Sequence, residues 1–243
     1  MKKNLLQTVA ISAAVLLLGV ISASANPITF SDSFGSYAKF DVESGNLQIT
    51  LWTDRNSTVN SEVLTALFFD ISGISSLTRN SATVPIVSAS GGTNSFVYEG
   101  THWGLTTPLD VGGEWAYKSS LSLPGLGSQG IGTAGLDGTF GASDLFPGPD
   151  LNSKQAPDGG DFGLIGLASP GVAGAGYDVL VRNTTVFLLS GLPTGFDPEA
   201  SVQNVSFQYG TSLTQVPEPA TLLFLGAGLI GLTAYGKRKF LKK

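Results

Sequence analysis

Residues Asn46–Thr53 read Asn-Leu-Gln-Ile-Thr-Leu-Trp-Thr, an alternation of polar and apolar side chains broken only by Trp52. Successive side chains point to opposite faces only in an extended chain, so this octet predicts a β-strand with one face in a core and the other toward water. Val63–Ile71 is instead a mostly apolar run, interrupted by Thr65 and Asp70 and closed by Ser72-Gly73. Its Phe68, Phe69 and Ile71 favour a fully buried strand over a short helix. Further strands are expected at Tyr37–Val42, Val84–Val87, Phe96–Tyr98, Glu114–Lys118, Phe162–Ala168, Tyr177–Arg182, Thr185–Leu189 and Val202–Tyr209. No amphipathic helix with clear caps stands between them. Many short strands separated by turn residues predict an all-β body, a β-sandwich or jelly roll.

Glycine marks one departure from this pattern. Leu123–Gly148 holds 8 Gly in 26 residues. Such a density lowers strand propensity, so Ser120–Gly160 is expected to be a long ordered loop or a weakly structured excursion rather than a linker between domains. Leu192-Pro193-Thr194-Gly195 is expected to be a surface turn.

The two ends differ from the body. Lys2 and Lys3 precede an apolar stretch, Val9–Ile21, and Ala23-Ser24-Ala25 is a small-x-small triplet. This is the pattern of a secretory signal peptide over 1–25, with Ala23 and Ala25 as the cleavage-site residues. At the other end, Pro217-Glu218-Pro219 leads into the apolar run Ala220–Tyr235 and then Lys237, Arg238 and Lys239. Sixteen residues span about 24 Å as a helix. That is a little short of a hydrocarbon core of about 30 Å, a deficit that flanking lysines can cover. A single transmembrane helix is expected, with the basic tail cytoplasmic and the body outside. The expected division is therefore 1–25, a β-rich extracellular domain over 26–215, and 216–243.

Charge and the missing cysteines narrow the partners. Between Asn26 and Val216 six basic side chains face seventeen acidic ones, a net of −11. A body so acidic repels nucleic acid and anionic lipid. The chain has no Cys, which removes disulfides, thiolate metal sites and a cysteine nucleophile. About 190 residues can bury a sufficient core without cross-links.

Pro217-Glu218-Pro219, the apolar run and the basic cluster, in that order, resemble a PEP-CTERM sorting signal. The resemblance covers about the last 28 residues. It implies processing near the Pro-Glu-Pro by an exosortase, a membrane-embedded cysteine transpeptidase of Gram-negative bacteria, with transient anchoring in the inner membrane. Release to the cell surface or extracellular matrix follows, in bacteria that make extracellular polysaccharide. Three stretches of the body, Leu47–Thr53, Val63–Asp70 and Asp158–Leu164, are similar to one group of exosortase-dependent surface proteins. That group is defined by its sorting signal, not by an activity.

Chemistry within the body is sparse. His102 is the one histidine, and no Gly-x-Ser-x-Gly elbow accompanies it. One His without Cys does not make an ordinary zinc site. Glu99 and Glu114 are in principle a carboxylate pair of the kind glycosidases use, with no distance between them given by the sequence, and solvated carboxylates are the rule on an acidic surface. No enzymatic activity is expected. Asp150, Asn152, Asp158 and Asp161 lie in one Gly/Pro-rich stretch and are candidate calcium ligands, since calcium favours several oxygens on a flexible loop. Their spacing is not that of an EF-hand, and turn chemistry explains the same composition. No other cofactor is expected. Trp103 and Trp115, with Trp52, are candidate sugar-stacking side chains, against a default of core packing. Asn56-Ser57-Thr58, Asn183-Thr184-Thr185 and Asn204-Val205-Ser206 match the N-glycosylation pattern. The expected function is that of an exported structural or interaction protein of the cell surface or matrix. The alternatives are a carbohydrate-binding module or adhesin, which would use exposed Trp103 and Trp115 with the Asp-rich loop, and a secreted hydrolase.

Overall fold

A computed structural model describes residues 25–213 except 99, 153, 155, 158 and 173–177. The expected signal peptide and the expected C-terminal helix lie outside the described residues. Among those described, no helix is long and apolar enough to cross a membrane.

The strands are β1 (Ile28–Ser31), β2 (Ser36–Glu43), β3 (Asn46–Thr53), β4 (Leu64–Ile71), β5 (Thr78–Val84), β6 (Ser95–Tyr98) and β7 (Thr101–Gly104). There follow β8 (Leu109–Asp110), β9 (Ala116–Lys118), β10 (Gln129–Gly132), β11 (Leu164–Ile165), β12 (Val179–Arg182), β13 (Thr184–Ser190) and β14 (Val202–Tyr209). One four-residue helix, α1 (Pro198–Ser201), precedes β14. Asp197 caps it by accepting from the Glu199 amide, and Pro198 fills its first turn, where no amide donor is needed. The all-β expectation is met.

Six strands form one sheet in the order β1-β2-β3-β13-β5-β8. The second sheet runs β7-β6-β12-β11-β4-β10-β9, with β14 also paired to β4. The first sheet is built on the β2–β3 hairpin, closed by Ser44 and Gly45, both at positive φ. That two-residue turn matches the twist of the strands it joins. It pins the register Glu43↔Asn46, which turns Leu47, Ile49 and Leu51 inward and leaves Gln48, Thr50 and Trp52 outside.

The two sheets close over a common core. Phe40 from β2 meets Phe69 from β4 at 5.3 Å between ring centroids. Phe187 from β13 meets Trp115, just before β9, at 5.0 Å. β4 is apolar on both faces because both are covered. Leu67, Phe69 and Ile71 join the core between the sheets, while Ala66 and Phe68 face a second cluster made with Ala134, Leu136 and Phe140.

That second cluster corrects the reading of Ser120–Gly160. The stretch contains β10, a buried strand hydrogen-bonded between β4 and β9. Its glycines are a packing requirement. A Cβ on Gly130 would stand 2.7 Å from Phe68 Cδ1, and one on Gly132 would stand 2.5 Å from Phe140 Cε2. Glycine in a strand often marks such a close approach. Two boundaries also shift. The strand expected at Val84–Val87 is Thr78–Val84, and Phe162–Ala168 shrinks to Leu164–Ile165. Phe162 has a positive φ, and the Gly166 amide is drawn away to the Arg55 carbonyl at 2.6 Å. Leu192–Gly195 is a turn, as expected, closed by the Phe196 amide on the Pro193 carbonyl.

Candidate functional site

The chain leaves the sandwich at the end of β14, and that exit is tightly tied. The Gly210 amide donates to the Val63 carbonyl at 2.9 Å, and Thr65 Oγ1 donates to the Gly210 carbonyl at 2.5 Å. Gln208 Nε2 donates to the carbonyls of Tyr209 and Ser212. The Leu213 amide donates to Asp137 Oδ2 at 3.2 Å. Beside the exit, the Tyr209 hydroxyl binds Asp32 and Ser36 Oγ. Burial first, then the Asp32 carboxylate, pushes the Tyr209 phenol well above the usual tyrosine range. The Phe34 ring stands edge-on to Tyr209 at 5.4 Å, with the Arg55 guanidinium 4.8 Å over its face. Arg55 in turn pairs with Glu62 at 2.5 Å. Glu62 also accepts from the Thr58 amide, and that bond, with Arg55, holds its carboxyl below the usual range.

A second surface lies at the β6–β7 edge. β7 ends the eight-stranded sheet, and all four of its residues are exposed. Trp103 pairs across the hairpin with Phe96, and Thr101 with Tyr98, so Trp103 and Tyr98 share a face. Phe96 is buried against Phe162, whereas Trp103 and Tyr98 extend beyond that cover and are 62% and 44% exposed. On the opposite face His102 Nδ1 meets Arg182 Nη1. Burial lowers the Arg182 pKa.

Trp115 is not part of this surface. It is fully buried with its ring against Phe187, so no face is open to a sugar, and its expected glycan contact is corrected. The carboxylate pair fares similarly. Glu114 is buried, and its Oε1 accepts from the Leu151 amide at 2.5 Å; Glu99 lies outside the described residues.

The candidate calcium ligands are engaged in another way. Asp161 is fully buried. Its Oδ1 accepts from the amides of Asp178 and Val179. Its Oδ2 accepts from Asn152 Nδ2 at 2.9 Å and from Lys154 Nζ at 3.3 Å. Asn152 Oδ1 is taken by the Lys154 amide. Lys154 also pairs with Asp178, and that contact first, with Asp161, raises the Lys154 pKa. An ammonium therefore stands where a cation would sit. Asp150 is exposed, and Asp158 lies outside the described residues. Among those described, no three His, Cys, Asp or Glu side chains converge as a metal site. Asn152 and Asp161 are thus held by protein donors in this arrangement. Of the three glycosylation patterns, Asn183 is fully buried and donates to the Thr53 carbonyl.

Past the exit, residues 215–239 match the PEP-CTERM protein-sorting motif. The chain carries a PEP-CTERM sorting motif. Such a motif marks an exported protein sorted through an exosortase. No curated protein and no solved structure matches the chain. The PEP-CTERM match covers Pro217, Glu218, Pro219, Lys237, Arg238 and Lys239, all outside the described residues, as is Ala23. Tyr98, Phe34 and Val59 were not among the candidate side chains. Each is a single aromatic or apolar residue at a strand end or loop, and its exposure depends on what the other sheet leaves uncovered.

Proposed function

We propose that this chain is an exported structural or interaction protein of the cell surface or extracellular matrix, held briefly in the inner membrane by residues 220–235 and then cut by an exosortase-type transpeptidase. The observation that carries the reading is the sorting motif at 215–239, which starts six residues after β14, the last described strand of a disulfide-free β-sandwich. Cleavage after Ala25 suits the same body, since β1 begins at Ile28 and pairs with β2. Intact mass of the protein recovered from its host's surface tests this. A chain that starts at Asn26 and ends near Pro217-Glu218-Pro219 supports it, and one retaining Ala220–Lys243 overturns it.

A second reading, a carbohydrate-binding module or adhesin, is favoured by one observation. Trp103 exposes most of its ring on an open edge strand beside exposed Tyr98. Exposed aromatic surface of this kind often marks a binding site. The net charge of −11 disfavours anionic polymers, so the ligand class is a neutral glycan. Tryptophan fluorescence during titration with the host's polysaccharide tests it. A shift lost in Trp103→Ala supports the reading, and no shift in the unaltered protein removes it.

A further inference from the structure

We infer that the end of the sandwich from which the chain exits is a docking surface for the enzyme that reads the sorting motif, with Phe34 and Val59 as its contact points. The inference rests on the sorting reading above. Among the described residues the last tied one is Leu213, bound to Asp137, and the matched motif begins at residue 215. Pro217 is four residues beyond Leu213. At no more than about 3.3–3.6 Å per residue, Pro217 cannot lie farther than about 14 Å, nor Pro219 farther than about 22 Å, from Leu213. An active site that encloses Pro217-Glu218-Pro219 must therefore stand against this end.

The end is suited to such a contact. Among the described residues, Phe34 and Val59 are two of the six large apolar side chains left exposed, at 40% and 50%. Phe34 borders the exit through the Tyr209 ring, and Val59 precedes the Asn60–Glu62 turn that leads into Val63, whose carbonyl holds the Gly210 amide. The one cation between them, Arg55, is already paired with Glu62, so covering this end buries no lone charge. The acids here, Asp32, Glu62 and Asp137, disfavour an anionic lipid surface. The length of chain outside the sandwich therefore names the occupant as the processing enzyme.

The experiment follows maturation of the full chain in cells that contain the enzyme. Four chains are compared: unaltered; Phe34→Ser with Val59→Ser; a flexible ten-residue Gly/Ser spacer inserted after Leu213; and the combination. The expected result is that the double substitution slows conversion of precursor on the order of tenfold, the effect of losing burial of one to two apolar side chains. The spacer is expected to slow it too, and the substitutions to add nothing in the spacer chain. Conversion at the unaltered rate in either the double variant or the spacer chain would overturn the inference. So would a double variant whose loss is instead in binding of the purified precursor to enzyme-free zwitterionic vesicles, which would assign this end to lipid. No conversion of any chain, the unaltered one included, would overturn the sorting reading itself, and this inference with it. Melting of the body, unchanged by substitutions at two exposed positions, confirms that the variant folds.

Discussion

Phe40 and Phe69 join the two sheets, with ring centroids 5.3 Å apart and planes crossed at 70°. Neither ring is exposed, and each belongs to a different sheet, so the pair reports on the packing between sheets rather than on either sheet alone. Phe69→Ala removes a buried ring where the surrounding strands cannot collapse. It is expected to destabilise the body by about 3–5 kcal/mol, read as a fall in the urea midpoint with an unchanged slope.

Adding one methyl group at Gly132 has a comparable consequence for the opposite reason. An alanine Cβ there stands 2.5 Å from Phe140 Cε2 and 3.1 Å from Ala66 Cβ. Gly132→Ala is expected to cost about 1–3 kcal/mol through overpacking. Gly104→Ala on the open edge strand meets nothing within 4 Å and is expected to stay within about 0.5 kcal/mol of the parent. Thermal unfolding of the two variants side by side checks the contrast.

These glycines also show where the sequence was legible. β3 was readable to its end residues because one face is covered and one is wet, which writes a period of two into the sequence. β4 was readable as a buried run because both faces are covered. β10 was not, since Gln129-Gly130-Ile131-Gly132 has loop composition and becomes a strand only because Phe68 and Phe140 need the space. Trp115 and Trp103 are the same residue type twelve positions apart, and only the second sheet decides that one is core and the other surface. The sorting motif was legible from sequence alone because its order of Pro-Glu-Pro, apolar run and basic cluster is local. The exit surface was not, because Phe34, Val59 and Tyr209 come from distant parts of the chain.

Acid should weaken the attachment of β14 and β10 to β4 through Asp70. Burial pushes its carboxyl up, but the Ser128 hydroxyl and amide, at 2.6 Å and 2.7 Å, and the Asn204 amide outweigh that and hold it below the usual range. A lowered folded pKa gives stability that is present above the unfolded value of about 3.9 and lost as pH falls through the folded value. Asp70→Asn is therefore expected to be less stable than the parent at neutral pH, with the two converging as acid is added. Urea midpoints across pH 2–6 measure this.

Alkali should act through Tyr117. Burial raises its phenol to about 12. Its hydroxyl donates to Gln129 Oε1 at 2.7 Å and accepts from the Leu77 amide at 3.0 Å. A folded pKa above the unfolded value of about 10 favours the neutral form, so this stability is intact below pH 10 and is lost as pH rises from there toward 12. Tyr117→Phe leaves two buried polar groups unpaired, at about 1–3 kcal/mol each. It should narrow that alkaline loss, leaving the share that belongs to Tyr209. Phenolate absorbance during an alkaline titration, followed with unfolding, separates the two tyrosines.

Asp161 is expected to be the most costly carboxylate to remove. It gathers the amides of Asp178 and Val179, Asn152 Nδ2 and the Lys154 ammonium around one fully buried side chain. Its carbonyl also receives the Thr133 hydroxyl. Asp161→Ala strands several donors, and each one that water cannot reach costs about 1–3 kcal/mol. Asp161→Asn keeps the shape but turns amide protons toward other donors, so it should recover only part of the loss. Lys154→Met removes the half-exposed partner and should cost less than either, because the two backbone amides and Asn152 still neutralise the carboxylate. Melting temperatures in the order parent, Lys154→Met, Asp161→Asn, Asp161→Ala would establish Asp161 as the tie between the 150–161 loop and β12. A Lys154→Met variant that is strongly stabilised by added calcium, where the parent is not, would show that the ammonium had been holding a cation's place.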